Sequence, residues 1–140
     1  MRLFEIEMPL LYLHSGKVHA PGTLLRPENT NYPLGTTIEG LLEKGRPSGR
    51  LPRKASIFLK DRPDGSASYV YEVVPFGIVD RGSIGWLRLL VGDGERDQPL
   101  IDEWVVNYWA GNDCPTVPGE WEYRAERVRV GRLLGGYVNQ

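Results

Sequence analysis

The apolar pattern between positions 97 and 111 constrains the fold of this chain most strongly. Large apolar side chains recur there at i, i+4 and i+8, which places them on one broad helical face: Leu100, Ile101, Trp104, Val105, Tyr108 and Trp109. Asp97 is placed to cap such a helix, Pro99 suits its first turn, and Gly111 is typical of its end. The sequence therefore predicts a core helix, whose apolar face needs a second layer to pack against.

Extended segments surround this helix and supply that layer. Runs rich in apolar, aromatic and β-branched residues, bounded by Gly, Pro and Asp, are typical of strands. Turns are indicated at residues 21–22 and 62–65. The predicted extended segments are residues 3–8, 10–14, 56–60, 69–74, 77–80 and 86–91, and a final region that contains Val128 and Val130.

An earlier, shorter helix is predicted to begin near Thr36. Thr36 and Glu39 have capping-box spacing, and the apolar residues that follow occupy one face. Gly45 ends the helix, and the prolines and glycine of residues 46–53 exclude regular structure there. The expected fold is thus one α+β domain over residues 1–140 with two short helices.

Charge and cysteine content narrow the function classes. The formal net charge is -1, from 17 basic and 18 acidic residues, which argues against a nucleic-acid module held mainly by phosphate contacts. Arginines cluster at residues 46–54 and 124–132, so a local anion site stays open. Cys114 is the single cysteine, which excludes an intramolecular disulfide and a thiolate metal cluster.

Targeting and metal signals are weak. No apolar run is long enough to span a bilayer and the N-terminus lacks signal-peptide features, so we expect a cytoplasmic protein without a membrane partner. His14 and His19 are the only histidines and show no metal-ligand spacing, so no metal is expected. The glycines of residues 92–95 lack a Walker lysine and indicate a turn.

Four separated segments carry a more specific pattern. They are residues 11–16, 53–59, 107–111 and 120–124: a strand ending in His, a basic entry to a strand with Ser and Phe, a Tyr-Trp-Ala-Gly helix end, and Glu-Trp-Glu. Their order resembles small ADP-ribosyltransferase-like domains, and RES-type NAD-consuming domains are similar. The resemblance covers roughly His14 to Val130. It implies a split β-sheet core with two short helices, NAD as the substrate, and no metal.

In this resemblance the late glutamate is catalytic. A carboxylate near the ribose 2′-hydroxyl stabilises the oxocarbenium-like state that forms as nicotinamide departs. Glu122 is the first candidate and Glu120 the second, because residues two apart face the same side of a strand. The structural alternative is that both are exposed acids at a strand edge.

The resemblance also implies a set of NAD-binding residues. His14 would hydrogen-bond a ribose, Ser56 would form the floor of the nicotinamide pocket, and Phe58 would stack on the ring. Arg50 and Arg53 would contact the pyrophosphate. Each has a structural alternative: a strand-end histidine, core packing for Phe58, and a solvated basic loop.

The remaining aromatic and basic residues of the late segments have structural interpretations. Helical periodicity favours packing for Tyr108 and Trp109. The alternation of Arg124, Arg127 and Arg129 predicts one solvated strand face.

The acceptor of the ADP-ribose stays open between protein, nucleic acid and small molecule. Glu120 and Glu122 have the Glu-x-Glu spacing of arginine-modifying members, in which Glu120 would activate the acceptor. His14, however, stands where those enzymes usually have arginine.

A non-catalytic alternative is a β-rich protein-binding module or inhibitor, since four Trp and seven Tyr suit a recognition surface. A cleft shared by His14, Ser56 and Glu122 would favour the enzyme. An exposed aromatic patch would favour the binding module.

Overall fold

The computed structural model describes residues 9–27, 35–92 and 98–136. In this part of the chain, five antiparallel strands and three helices form an α+β fold, which confirms the predicted class. The elements are β1 (Leu11–Ser15), β2 (Leu24–Leu25), α1 (Gly35–Lys44), β3 (Ile57–Leu59), β4 (Tyr69–Ser83), α2 (Ile84–Gly92), α3 (Gln98–Ala110) and β5 (Trp121–Gly136). The predicted strand at residues 3–8, the cap Asp97 and residues 93–95 of the predicted turn lie outside the described residues.

The sheet is organised around β5. This strand pairs with β4 along one edge, and with both β3 and β2 along the other. β1 adds to the far edge of β4 over residues 69–73. Two backbone hydrogen bonds between Tyr12 and Lys60, of 2.8 and 3.0 Å, then join β1 to the end of β3. The pairings β1–β4–β5–β3–β1 therefore close into a small ring.

The interior of this ring is the first of two apolar cores. Alternate side chains of each strand point into the ring, and those in its core are aliphatic or aromatic. Its fully buried members are Leu11, Leu13, Ile57, Leu59, Tyr71, Val73, Tyr123, Ala125, Val128 and Val130. The outward side chains of the same strands are left for the helices or for solvent.

The three helices form the second core against part of the outer face. Its buried residues are Leu42, Trp86, Leu87, Leu90, Ile101, Trp104, Val105, Tyr108, Trp109 and Cys114. The predicted helix end at Gly111 is confirmed, because Gly111 adopts a positive φ of 76° directly after α3. None of the helices in the described ranges is long and apolar enough to cross a membrane.

The prediction of a strand at residues 86–91 is wrong, because this stretch lies in α2. Short apolar runs do not distinguish a strand from a buried helix by pattern alone. The buried residues Trp86, Leu87 and Leu90 show the helical spacing, and they face α3 in the second core. The fold therefore has a third helix beyond the two that were expected.

Candidate functional site

A buried cluster of charged groups lies where α1, α3 and β5 meet, and Arg53 is its centre. The side chain of Arg53 is only 3% exposed. Its Nη1 donates to Glu122 Oε2 at 2.5 Å and to the phenolic oxygen of Tyr108 at 2.8 Å. Its Nε donates to Glu39 Oε1 at 2.8 Å. One guanidinium thus connects a helix, a strand and a second helix.

Local sequence explains how these side chains reach one another. Arg53 opens a short 3-10 turn directly after Pro52, which brings the loop of residues 46–52 back to the sheet. Glu122 lies opposite Gly82 in the β4–β5 register. A Cβ at position 82 would lie 2.3 Å from Cε1 of Tyr108, so glycine leaves the room that the tyrosine ring occupies.

The electrostatics of the cluster keep its donors protonated. Burial raises the pKa of Tyr108 well above its ordinary value, and the charge of Glu122 raises it further. Burial acts to lower the pKa of Arg53, but its carboxylate partners Glu122 and Glu39 outweigh burial, and the pKa of Arg53 is raised. Tyr108 therefore keeps its proton and donates a hydrogen bond of 2.6 Å to Glu122 Oε2. Arg53 and Tyr108 thus donate to the same oxygen of Glu122.

A cavity of about 540 Å³ lies along β1, and Phe58 connects it to the cluster. Its walls are Leu13, His14, Ser15, Gly16, Lys17, His19, Leu25, Arg26, Ile57 and Phe58. These described residues include two cationic side chains and two imidazoles but no carboxylate. The guanidinium of Arg53 lies 4.8 Å from the centre of the Phe58 ring, so the same ring contacts the cluster and lines the cavity.

His14 is held in place at the end of β1 by the turn that follows β3. Its Nε2 accepts a hydrogen bond from the backbone N–H of Asp64 at 3.1 Å. Burial lowers the pKa of His14, although the charge of Asp64 acts to raise it. Burial therefore favours the neutral imidazole, whose Nε2 accepts from the backbone and also lies 3.2 Å from Asp64 Oδ1.

The predicted site residues do not all meet. Arg53, Phe58 and Glu122 belong to the cluster, and His14 and Phe58 share the cavity. Ser56 is completely buried and donates to the carbonyl of Pro52 at 2.7 Å, and it does not line the cavity of His14. The cavity of His14 is thus lined by neither Ser56 nor Glu122.

The other two predicted residues have partners elsewhere. Glu120 lies just before β5, 38% exposed, with Oε2 at 3.0 Å from Arg88 of α2. It therefore has a different environment from Glu122, despite the two-residue spacing. Arg50 reaches the buried Asp80 at 3.4 Å, so it supports the loop around Leu51 rather than lining the cavity of His14.

Three polar roles were missed by the sequence analysis. Tyr108 packs as predicted but also hydrogen-bonds Arg53 and Glu122. Glu39, expected in a capping box, pairs with Arg53 instead. Arg124 was expected on a solvated face, yet it is fully buried with its guanidinium 4.7 Å from the Trp109 ring, because α3 covers this part of the strand.

Comparisons with known proteins add no family assignment. Neither protein-family models, curated proteins nor solved structures gave a match to the chain. Within the described ranges, no group of three or more His, Cys, Asp or Glu side chains is placed to hold a metal ion. Function therefore has to be inferred from the cluster and the cavity themselves.

Proposed function

We propose that this protein is an NAD-consuming enzyme of the ADP-ribosyltransferase type. NAD would occupy the cavity of His14, and Glu122 would promote loss of nicotinamide. The observation that carries the proposal is the position of Phe58, which lines a cationic cavity and also contacts Arg53, the partner of Glu122.

The cavity has the chemistry that a dinucleotide requires. Its volume of about 540 Å³ lies within the range of small-molecule sites. Lys17 and Arg26 would neutralise the pyrophosphate, and the planar guanidinium of Arg26 matches phosphate oxygens in particular. The Phe58 ring offers a flat apolar surface on which an aromatic ring can stack.

Glu122 is suited to stabilise positive charge on the ribose. Arg53 and Tyr108 both bond Oε2, and this fixes the carboxylate without using Oε1. Oε1 would accept a hydrogen bond from a ribose hydroxyl. When ionised, Glu122 would place a negative charge beside the ribose, which favours an oxocarbenium-like state.

Nicotinamide release from NAD tests this proposal directly. Purified protein is incubated with NAD, and free nicotinamide is quantified by chromatography. We expect Glu122→Gln to lower the rate by about 100-fold or more, because it removes charge stabilisation at the reacting sugar. Glu120→Gln is the matched control, since that glutamate is a surface residue paired with Arg88, and it should retain the wild-type rate.

Binding is measured separately by calorimetric titration with NAD. We expect Phe58→Ala and His14→Ala to weaken NAD binding while urea unfolding shows that both variants remain folded. Wild-type protein that neither binds nor cleaves NAD, with or without protein and nucleic-acid acceptors, would overturn the proposal. Equal losses of cleavage in Glu120→Gln and Glu122→Gln would remove Glu122 from its assigned role.

A further inference from the structure

The outer face of the sheet is covered by helices over only part of its length. Beyond them, cross-strand rows place Leu24, Arg129 and Val74 side by side on β2, β5 and β4. The next outward row pairs Arg127 with Phe76. With Ile78, these six residues form what we name the arginine face: Leu24, Val74, Phe76, Ile78, Arg127 and Arg129.

The apolar members of this face are unusually exposed for their type. Val74 is 56% exposed, Ile78 44%, Phe76 39% and Leu24 38%. Single exposed apolar residues are ordinary on a protein surface, but neighbouring ones at paired strand positions indicate an interaction site. The two arginines lie between them, and the guanidinium of Arg129 is 5.6 Å from the centre of the Phe76 ring.

The positive charge of the face extends toward the cavity of His14. A second cavity, of about 490 Å³, is lined by Arg26, Ile78, Glu126 and Arg127 among others. Arg26 also lines the cavity of His14, so it joins the two. Glu126 also lines this second cavity, and its Oε2 already accepts a hydrogen bond from the backbone N–H of Ile78 at 3.1 Å. The surface therefore combines three arginines with one aromatic ring and three aliphatic side chains.

Charge and shape together favour one kind of occupant. A second copy of this chain, docked by a two-fold axis, would bring the arginine rows toward each other, which like-charge repulsion disfavours. A single nucleic-acid strand instead supplies phosphates for the arginines and unstacked bases for Phe76 and its apolar neighbours. We propose that the arginine face binds single-stranded nucleic acid. This inference goes beyond the proposed NAD chemistry and does not depend on it.

Fluorescence anisotropy with labelled oligo-dT and oligo-U of about 20 nucleotides tests the proposal. We expect binding that weakens with salt, and a matched duplex should bind less tightly. Phe76→Ala should weaken binding by about 5-fold or more, as expected for the loss of one stacking contact. Arg129→Gln should weaken binding and reduce the steepness of the salt dependence by about 0.7, the value for one phosphate contact on a single strand.

Arg88→Gln is the matched control, because Arg88 is 61% exposed on α2, away from this face. It should bind like wild type. Equal losses in Arg88→Gln and Arg129→Gln would show only general charge attraction and would overturn the proposal, as would no binding at low salt. Competition by poly-glutamate at least as strong as by oligo-dT would assign the face to an acidic protein segment. A dimer in sedimentation that is lost in Phe76→Ala would assign it to a second copy.

The same variants separate this inference from the enzymatic one. Phe76 and Arg129 do not line the cavity of His14, so nicotinamide release from NAD without oligonucleotide should be unchanged in both. Loss of oligonucleotide binding with normal NAD cleavage, or binding without any NAD cleavage, would each support the arginine face on its own.

Discussion

The phenol of Tyr108 donates a hydrogen bond of 2.6 Å to Oε2 of Glu122, and this contact joins the last turn of α3 to the first residues of β5. The same phenolic oxygen accepts from Arg53. A residue whose spacing indicates only packing thus also orients the carboxylate on which the proposed chemistry depends.

Removing the phenolic hydroxyl of Tyr108 should therefore lower stability and remove its hydrogen bond to Glu122. We expect Tyr108→Phe to lower the free energy of unfolding by about 1–3 kcal/mol, because it leaves buried charged groups without a partner. A double-mutant cycle with Glu122→Gln, measured by urea unfolding, should give a coupling energy of about 0.5–3 kcal/mol. Strictly additive effects would contradict a direct contact.

Arg53 should be among the most sensitive positions of the chain. Arg53→Met leaves Glu39 and Glu122 buried without their cation, and we expect a loss of about 3–5 kcal/mol in urea unfolding. The comparison is Arg88→Met, an exposed arginine that also pairs with a glutamate, which should change stability by less than about 0.5 kcal/mol. Similar small losses for both would mean that the cluster is solvated.

Replacing glycine by alanine should change stability in opposite directions at two positions. In Gly82→Ala the new Cβ would meet the Tyr108 ring at 2.3 Å, and we expect destabilisation of about 1–3 kcal/mol. Gly40 lies in α1 with nothing within 4 Å of an added Cβ, so Gly40→Ala should stabilise by about 0.4–1 kcal/mol. Thermal unfolding of the two variants measures both stability changes. A Gly82→Ala variant as stable as wild type would show that the Tyr108 ring can move.

Stability should fall in mild acid because of His14. Burial lowers its pKa in the folded state below the ordinary 6.5, so the unfolded chain takes up the proton first. Stability is then fully present above pH 6.5 and is lost as the pH falls below it, at no more than about 1.4 kcal/mol per pH unit for one proton.

His14→Gln should flatten this part of the stability profile, which is measured by urea unfolding between about pH 5 and pH 8. Burial also lowers the pKa of His19, so the double variant with His19→Gln should flatten the stability profile further. A profile that is unchanged in His14→Gln would show that the pKa of His14 is the same in the folded and the unfolded chain.

The sequence predicts the elements better than the geometry of the site. α1, α3 and four strand positions were predicted because apolar periodicity and Gly or Pro boundaries act locally. The helix at residues 84–92 was missed because Arg88 is the single charged residue in its short apolar run, which is too little to indicate a helical period.

The contacts among the candidate site residues were not predicted from the sequence, because the choice of partner is not local. Arg53 and Glu122 are 69 positions apart, and nothing in either segment indicates that they pair. Ser56 and Arg124 look accessible in the sequence but are buried by elements that fold over them. Phe58 was expected to contact NAD, and its place beside both the cavity and Arg53 makes it the most informative position to change.

The central position of β5 has a consequence for how the chain matures. β5 follows all the other described strands in sequence, yet it pairs with three of them. During synthesis, the edges of β2, β3 and β4 that pair with β5 stay unpaired until residues 121–136 have left the ribosomal exit tunnel. Nascent chains stalled before residue 121 should therefore be the aggregation-prone species, and the ones that chaperones retain.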